Sequence, residues 1–206
     1  MRIFIAGFLL LVAGRGVFAQ FDSARWEFRK EVEGVRVYVS EQDALKRVRL
    51  RATVDGSIPQ IVALLDSVRH YPEWVYRTTE SRMLDRASDT LIYYTRTDFP
   101  WPLQDRDFVI HSWTERVNDS LVISRSRSRE PFRHSPVNDA VRVRLFESDW
   151  LLRPLADGRT EVDYYLRTDP AGNIPTWIVN VALDRGPLKL VAAFRERLQR
   201  QYSDTP

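Results

Sequence analysis

The chain has 206 residues, 44% of them hydrophobic and 29% charged, with 31 Lys and Arg against 28 Asp and Glu and no cysteine. That apolar content suffices for one domain with a real core, and a formal charge of +3 gives no cationic field of the kind nucleic-acid binding needs. Without cysteine there are no disulfides, no thiolate metal sites and no lipid attachment at an N-terminal cysteine.

Arg2, an apolar run over residues 3–13 and Val17-Phe18-Ala19 before Gln20 read as a secretory signal peptide over residues 1–19. The run is shorter than the roughly 20 residues that cross a bilayer. Removing it leaves 187 residues with 29 basic and 28 acidic side chains, a formal charge near +1, expected beyond the inner membrane in the periplasm. Retention of the segment as an anchor is the alternative.

Residues 26–30 predict a short helix, followed by a turn at Gly34 and a strand at Val35-Arg36-Val37-Tyr38-Val39. Val48, Leu50, Ala52 and Val54 then alternate with Arg47, Arg49, Arg51 and Thr53, which marks a sheet with one dry face. Residues 58–68 predict a helix, with Pro59 in its first turn and Ile61, Leu64, Leu65 and Val68 at helical spacing. His70-Tyr71-Pro72-Glu73-Trp74 closes it.

Strand-like runs follow over residues 81–85, 90–97, 106–117, 121–128, 141–153 and 159–168. Turns near Ser88-Asp89, Asn118-Asp119, Asn138-Asp139 and Asp157-Gly158 separate them, and such short links imply an antiparallel meander. The last helix opens at Pro175 and carries Trp177, Ile178, Val181 and Ala182 on one face. Gly186-Pro187 should kink or break it. Beyond them Leu190, Val191, Phe194 and Leu198 turn to the core, with Arg195, Glu196, Arg197 and Arg200 in water. This order is α+β, and the final helix is the long element left to cover the dry face.

Pro100-Trp101-Pro102 stiffens a loop and holds Trp101 at a fixed angle, as a rim over a cavity or as a plain connector. Arg106 and Asp107 point to opposite faces, to orient a ligand head group or to make salt bridges. Ser124, Ser126 and Ser128 alternate with Arg125, Arg127 and Arg129: either the serines face inward and leave room, or this is a solvated edge strand. Glu161, Asp163 and Arg167 on one strand, and Arg142 and Arg144 on another, suit cross-strand pairing.

His70, His111 and His134 share no metal-ligand spacing, and no phosphate loop or G-x-S-x-G is present, so no metal or cofactor is expected. Arg133-His134, between Pro131 and Pro136, reads as a surface loop. Trp150, Tyr164 and Trp177 suit inward positions, with an apolar body and a polar tip.

Four pieces in order resemble the START (steroidogenic acute regulatory protein-related lipid transfer) domain. They are Trp26 with Gly34-Val35-Arg36-Val37-Tyr38; Pro100-Trp101-Pro102 leading to Arg106-Asp107-Phe108-Val109; Arg142-Val143 with Trp150 and Pro154; and Asp169-Pro170, Gly172, Ile174-Pro175, Trp177 and Asn180. The resemblance spans residues 26–202, with Gly186-Pro187 as a departure from the single long helix of the family. It implies a helix-grip fold over residues 20–206: a curved antiparallel sheet wrapped around a long C-terminal helix, with a lipid-sized cavity between them. It implies a non-enzymatic monomer that binds, and possibly transfers, a lipid or apolar small molecule and touches membrane transiently. Trp101, Arg106, Trp150, Tyr164, Trp177, Ile178 and Val181 are the expected ligand contacts. The alternatives are a helix-grip enzyme using His111, Asp107 or Tyr164 in the same cavity, and an interaction domain with a filled core.

Overall fold

The computed structural model describes residues 25–41, 45, 47–128 and 139–203, without the side chains of 176, 177, 179–184 and 201–203. The signal-peptide segment, Arg133-His134 and the side chains of Trp177 and Val181 lie outside the described residues.

Strands β1 (Glu27–Val32) and β2 (Val35–Ser40) form a hairpin, where residues 26–30 predict a helix. The turn decides it. Glu33 and Gly34 both take positive φ, 51° and 70°, the two-residue geometry whose twist matches paired strands. Strand β3 (Arg47–Val54) follows, with every second residue buried as the alternation predicts.

Helix α1 (Ile58–Asp66) buries Ile61, Leu64 and Leu65, and the Ser57 N–H donates to Gln60 Oε1 at 2.8 Å across its first turn. A 3-10 turn at Val68–His70 leads into the one-turn helix α2 (Tyr71–Trp74). Strands β4 (Thr78–Ala87), β5 (Thr90–Thr97), β6 (Asp105–Asn118) and β7 (Leu121–Ser128) follow the predicted meander.

The predicted run 141–153 is two strands, β8 (Ala140–Arg142) and β9 (Leu145–Pro154). β8 lies parallel to the start of β6, and the Val143 N–H donates to the Asp107 carbonyl at 2.9 Å before the chain leaves for β9. Strand β10 (Thr160–Asp169) and helix α3 (Thr176–Ser203) complete the order.

The sheet runs β1-β2-β3-β10-β9-β7-β6-β5-β4, antiparallel at every step of that path. It is curved, with α3 against its inner face. β7 sits between β9 and β6, so the Ser/Arg strand is central and the edge-strand alternative fails.

Apolar alternation fills the inner face: Val37, Leu50, Val54, Val122, Leu152 and Val162 pack with Val191, Phe194 and Leu198 of α3. The helix is continuous from Thr176 to Ser203, which corrects the expected break at Gly186-Pro187. Pro187 removes one helix hydrogen bond and is itself buried. Packing outweighs that loss. Arg195 reaches the carbonyls of Glu33 and Thr53 at 2.8 and 2.9 Å, and Arg197 pairs with Glu73 at 2.9 Å, so the second half is clasped to the sheet and to α2.

Charges gather on the outer face. Asp163 receives Arg49 and Arg51 at 2.6 and 3.1 Å, and Asp149 receives Arg127 at 2.8 Å. Arg106 and Asp107 point to opposite faces, as a regular strand requires. Asp107, wholly buried, takes a two-pronged bond from Arg142, Nε to Oδ1 at 2.8 Å and Nη2 to Oδ2 at 2.9 Å.

Removing one member of that pair strands its partner's charge. Arg142→Met should cost about 3–5 kcal/mol in urea unfolding, and Asp107→Leu in the same chain should recover much of the loss.

Candidate functional site: an aromatic and hydroxyl ring beneath the last helix

Tyr71 and Trp74 lie three residues apart, on one face of α2, with ring centroids 5.4 Å apart. From there a chain of ring contacts runs beneath α3. Trp74 meets Phe194 at 5.5 Å, Phe194 meets Trp150 at 5.0 Å, and Trp150 meets Tyr164 at 4.6 Å. In the other direction Tyr71 meets Tyr93 at 5.6 Å, and their hydroxyls act on one another. The Tyr71 hydroxyl also reaches the Leu65 carbonyl at 2.5 Å.

Serines close the circuit. Tyr164 has Ser148 and Tyr93 has Ser126 as polar neighbours, and Ser126 Oγ donates to Ser112 Oγ at 3.2 Å. Cross-strand register sets this row: Ser126 stands opposite Ser112 on β6 and opposite Ser148 on β9. The serines of β7 therefore face inward, while Arg125 and Arg127 face Asp149 on the outer side.

The ring carries no charge. Burial pushes the Tyr93 phenol up to about 12 and raises those of Tyr71 and Tyr164 as well. What results is a buried apolar wall, set with neutral hydrogen-bonding groups, between a sheet and one long helix.

The family model of the START domain matches residues 19–203. The chain belongs to the START domain family. An uncharacterised protein of Pseudomonas aeruginosa is 30% identical over 203 residues, covering 98% of this chain and all of that one. The crystal structure of a STAR-related lipid transfer protein from Xanthomonas axonopodis superposes with a TM-score of 0.77 at 27% identity, over 84% of this chain and 98% of that one. The phosphatidylcholine transfer protein of Bos taurus is 20% identical over 173 residues, 80% of each chain.

The expected contacts of this START domain fall in different places. Trp150 and Tyr164 are members of the ring, each 7% exposed. Ile178 is buried near the beginning of α3. Trp101 stands apart at 91% exposed, on the loop joining β5 to β6, where its peptide bond to Pro102 is cis.

Arg106 is buried on the inner side of β6. Its Nε and Nη2 donate to the carbonyls of Pro170 and Ala171 at 2.8 and 2.9 Å, its Nη1 donates to the Gln104 carbonyl, and its guanidinium lies 4.5 Å from the Phe99 ring centroid. The geometry makes it the tie between the β5–β6 loop and the turn before α3. Gly172 suits that turn, with φ at 72° and a Cβ there falling 3.6 Å from Arg106 Nη2.

Sequence reasoning missed Tyr71, Trp74, Tyr93, Ser112 and Ser148 as site residues. The i, i+3 pair of aromatics at Tyr71 and Trp74 was the available signal. Ser126 was signalled by the Ser/Arg alternation of its strand, whereas Ser112 and Ser148 had no signal, because register is invisible before pairing is known.

The buried phenols predict alkaline behaviour. Their folded values lie above the ordinary 10, so the protonated ring is the stabilised form: stability is full below pH 10 and lost as pH rises through about 12. A base titration followed by phenolate absorbance should show exposed tyrosines ionising first, and Tyr71, Tyr93 and Tyr164 ionising only with loss of far-UV signal.

Proposed function

We propose that this START domain binds one lipid or other apolar small molecule between the inner face of its sheet and α3, and carries it between membranes. The ring beneath the helix is the observation that carries the reading: it supplies apolar walls with fixed, uncharged polar points. The need is energetic. A chain of ~16 carbons faces roughly 12 kcal/mol on entering water, at about 0.8 kcal/mol per methylene, and a dry protein interior removes most of that cost. Two relatives whose names speak of lipid or phosphatidylcholine transfer support it.

Trp150, Tyr164 and Ile178 line this space in our proposal, together with Trp177 and Val181, and Arg106 acts through the turn that starts α3. Trp101 serves as the transient contact with the membrane surface, because a rigidly mounted, fully exposed indole suits the bilayer interface. The apolar leader before Gln20 supports work in the periplasm, by a monomer.

A binding role suits the chemistry better than catalysis. Asp107 is engaged by Arg142, His111 stacks near Trp113 at 5.1 Å on the outer face, and burial raises the Tyr164 phenol, which keeps it neutral.

The test is direct. Protein incubated with an envelope lipid extract and re-purified should carry one apolar ligand per chain in native mass spectrometry; recovery of ligand-free protein alone overturns the reading. Trp101→Ala should slow lipid transfer between vesicles several-fold while leaving ligand content unchanged and stability within about 0.5 kcal/mol.

A further inference from the structure

The ring contains one group that the protein itself leaves unmet. The Trp74 indole Nε1–H is buried without a hydrogen-bond partner, in a side chain only 6% exposed. An indole nitrogen can only donate, and its ring neighbours are the aromatic side chains of Tyr71 and Phe194. A buried donor of this kind costs about 1–3 kcal/mol when unpaired, and native interiors rarely keep one without reason. The Thr114 hydroxyl is likewise buried and without a partner, on β6 opposite Ser124, which in turn stands opposite Trp150.

The other hydroxyls of the ring have polar neighbours: Tyr71 donates to the Leu65 carbonyl, Ser126 to Ser112, and Tyr93 and Tyr164 lie beside Ser126 and Ser148. None of them is charged. Glu73, next to Trp74 in sequence, pairs with Arg197 at 2.9 Å, and the charges beside the sheet members of the ring, such as Asp149 and Asp163, are engaged on the outer face. Arg106 stands six residues before Ser112 on β6, roughly 20 Å along the strand, and its guanidinium bonds three carbonyls. A carboxylate or phosphate seated in the ring would lose its hydration and meet no cation, at a cost of many kcal/mol.

We propose that the ligand carries a neutral oxygen acceptor, a hydroxyl or an ester carbonyl, which accepts the Trp74 indole N–H beneath α3. Its hydrocarbon part then lies along the apolar inner wall of Leu50, Ala52, Val122, Leu152 and Val162. This rests on the reading that the space under α3 takes an apolar ligand, and it deepens that reading by naming the head-group class.

Four probes of equal chain length separate the outcomes: hexadecanol, methyl palmitate, palmitate and hexadecane, each delivered to the whole protein from cyclodextrin. Hexadecanol, methyl palmitate or both should bind at least tenfold more tightly than palmitate and hexadecane, and which of the two binds names the source of the oxygen. Trp74→Phe should weaken the oxygen-bearing probe about tenfold, the order of one neutral hydrogen bond, and leave hexadecane unchanged. Should that variant fail to fold, the wild type decides: the Trp74 indole proton signal in a nitrogen-correlated NMR spectrum should move downfield with the oxygen-bearing probe and not with hexadecane.

An unmoved Trp74 signal, equal affinity of Trp74→Phe, or preference for palmitate or hexadecane overturns this inference while leaving the carrier reading standing. Failure of all four probes to bind overturns both.

Discussion

The packing of the second half of α3 on the inner face of the sheet is the constraint on which the rest depends. Val191, Phe194 and Leu198 bury themselves against strands from both halves of the sheet, and Phe194 alone touches Trp74 and Trp150. Without that cover the inner face would present a broad apolar surface to water, at about 25 cal/mol for each square ångström. The helix also closes the ring, since Phe194 is the only member that neither the sheet nor α2 supplies. Arg195 locks the register of the helix by reaching one backbone carbonyl in the β1–β2 turn and one on β3.

Segregation of chemistry between the two faces follows from strand alternation. Hydroxyls and hydrocarbon face the helix, while arginines and aspartates interleave on the other side, where Asp149 and Asp163 are each almost fully covered by guanidinium groups. Such a lattice ties the central strands side by side. It holds the inner wall to a fixed shape without placing a charge in the aromatic ring. The small outer-face pocket bordered by Arg47, Arg127, Glu147 and Arg167 belongs to this lattice.

Much of the fold was legible because period-two alternation and Gly/Pro punctuation are local signals. The strands Thr90–Thr97 and Leu121–Ser128 match their predicted limits to the residue. The failures came where distant contacts outweighed local preference. Glu27–Val32 has helix-forming residues, yet a tight turn at Glu33-Gly34 pairs it with β2. Gly186-Pro187 is a helix breaker by propensity, yet the helix passes through it under the pull of its clasped second half. The site was legible in part, because inward aromatics such as Trp150 and Tyr164 announce themselves by residue type. Trp74, Tyr93 and the serine row become a site only through register and the docking of α2, which no spacing in the sequence records.

The guanidinium of Arg106 has one further effect. It grips Gln104, three residues past Trp101, and it also grips Pro170 and Ala171, just ahead of α3. Trp101, the most exposed of the large hydrophobic side chains described, and the lead into the longest element are thus yoked through a single planar group. A shift of the loop therefore pulls on the entry to the helix, and a shift of that entry pulls on the loop.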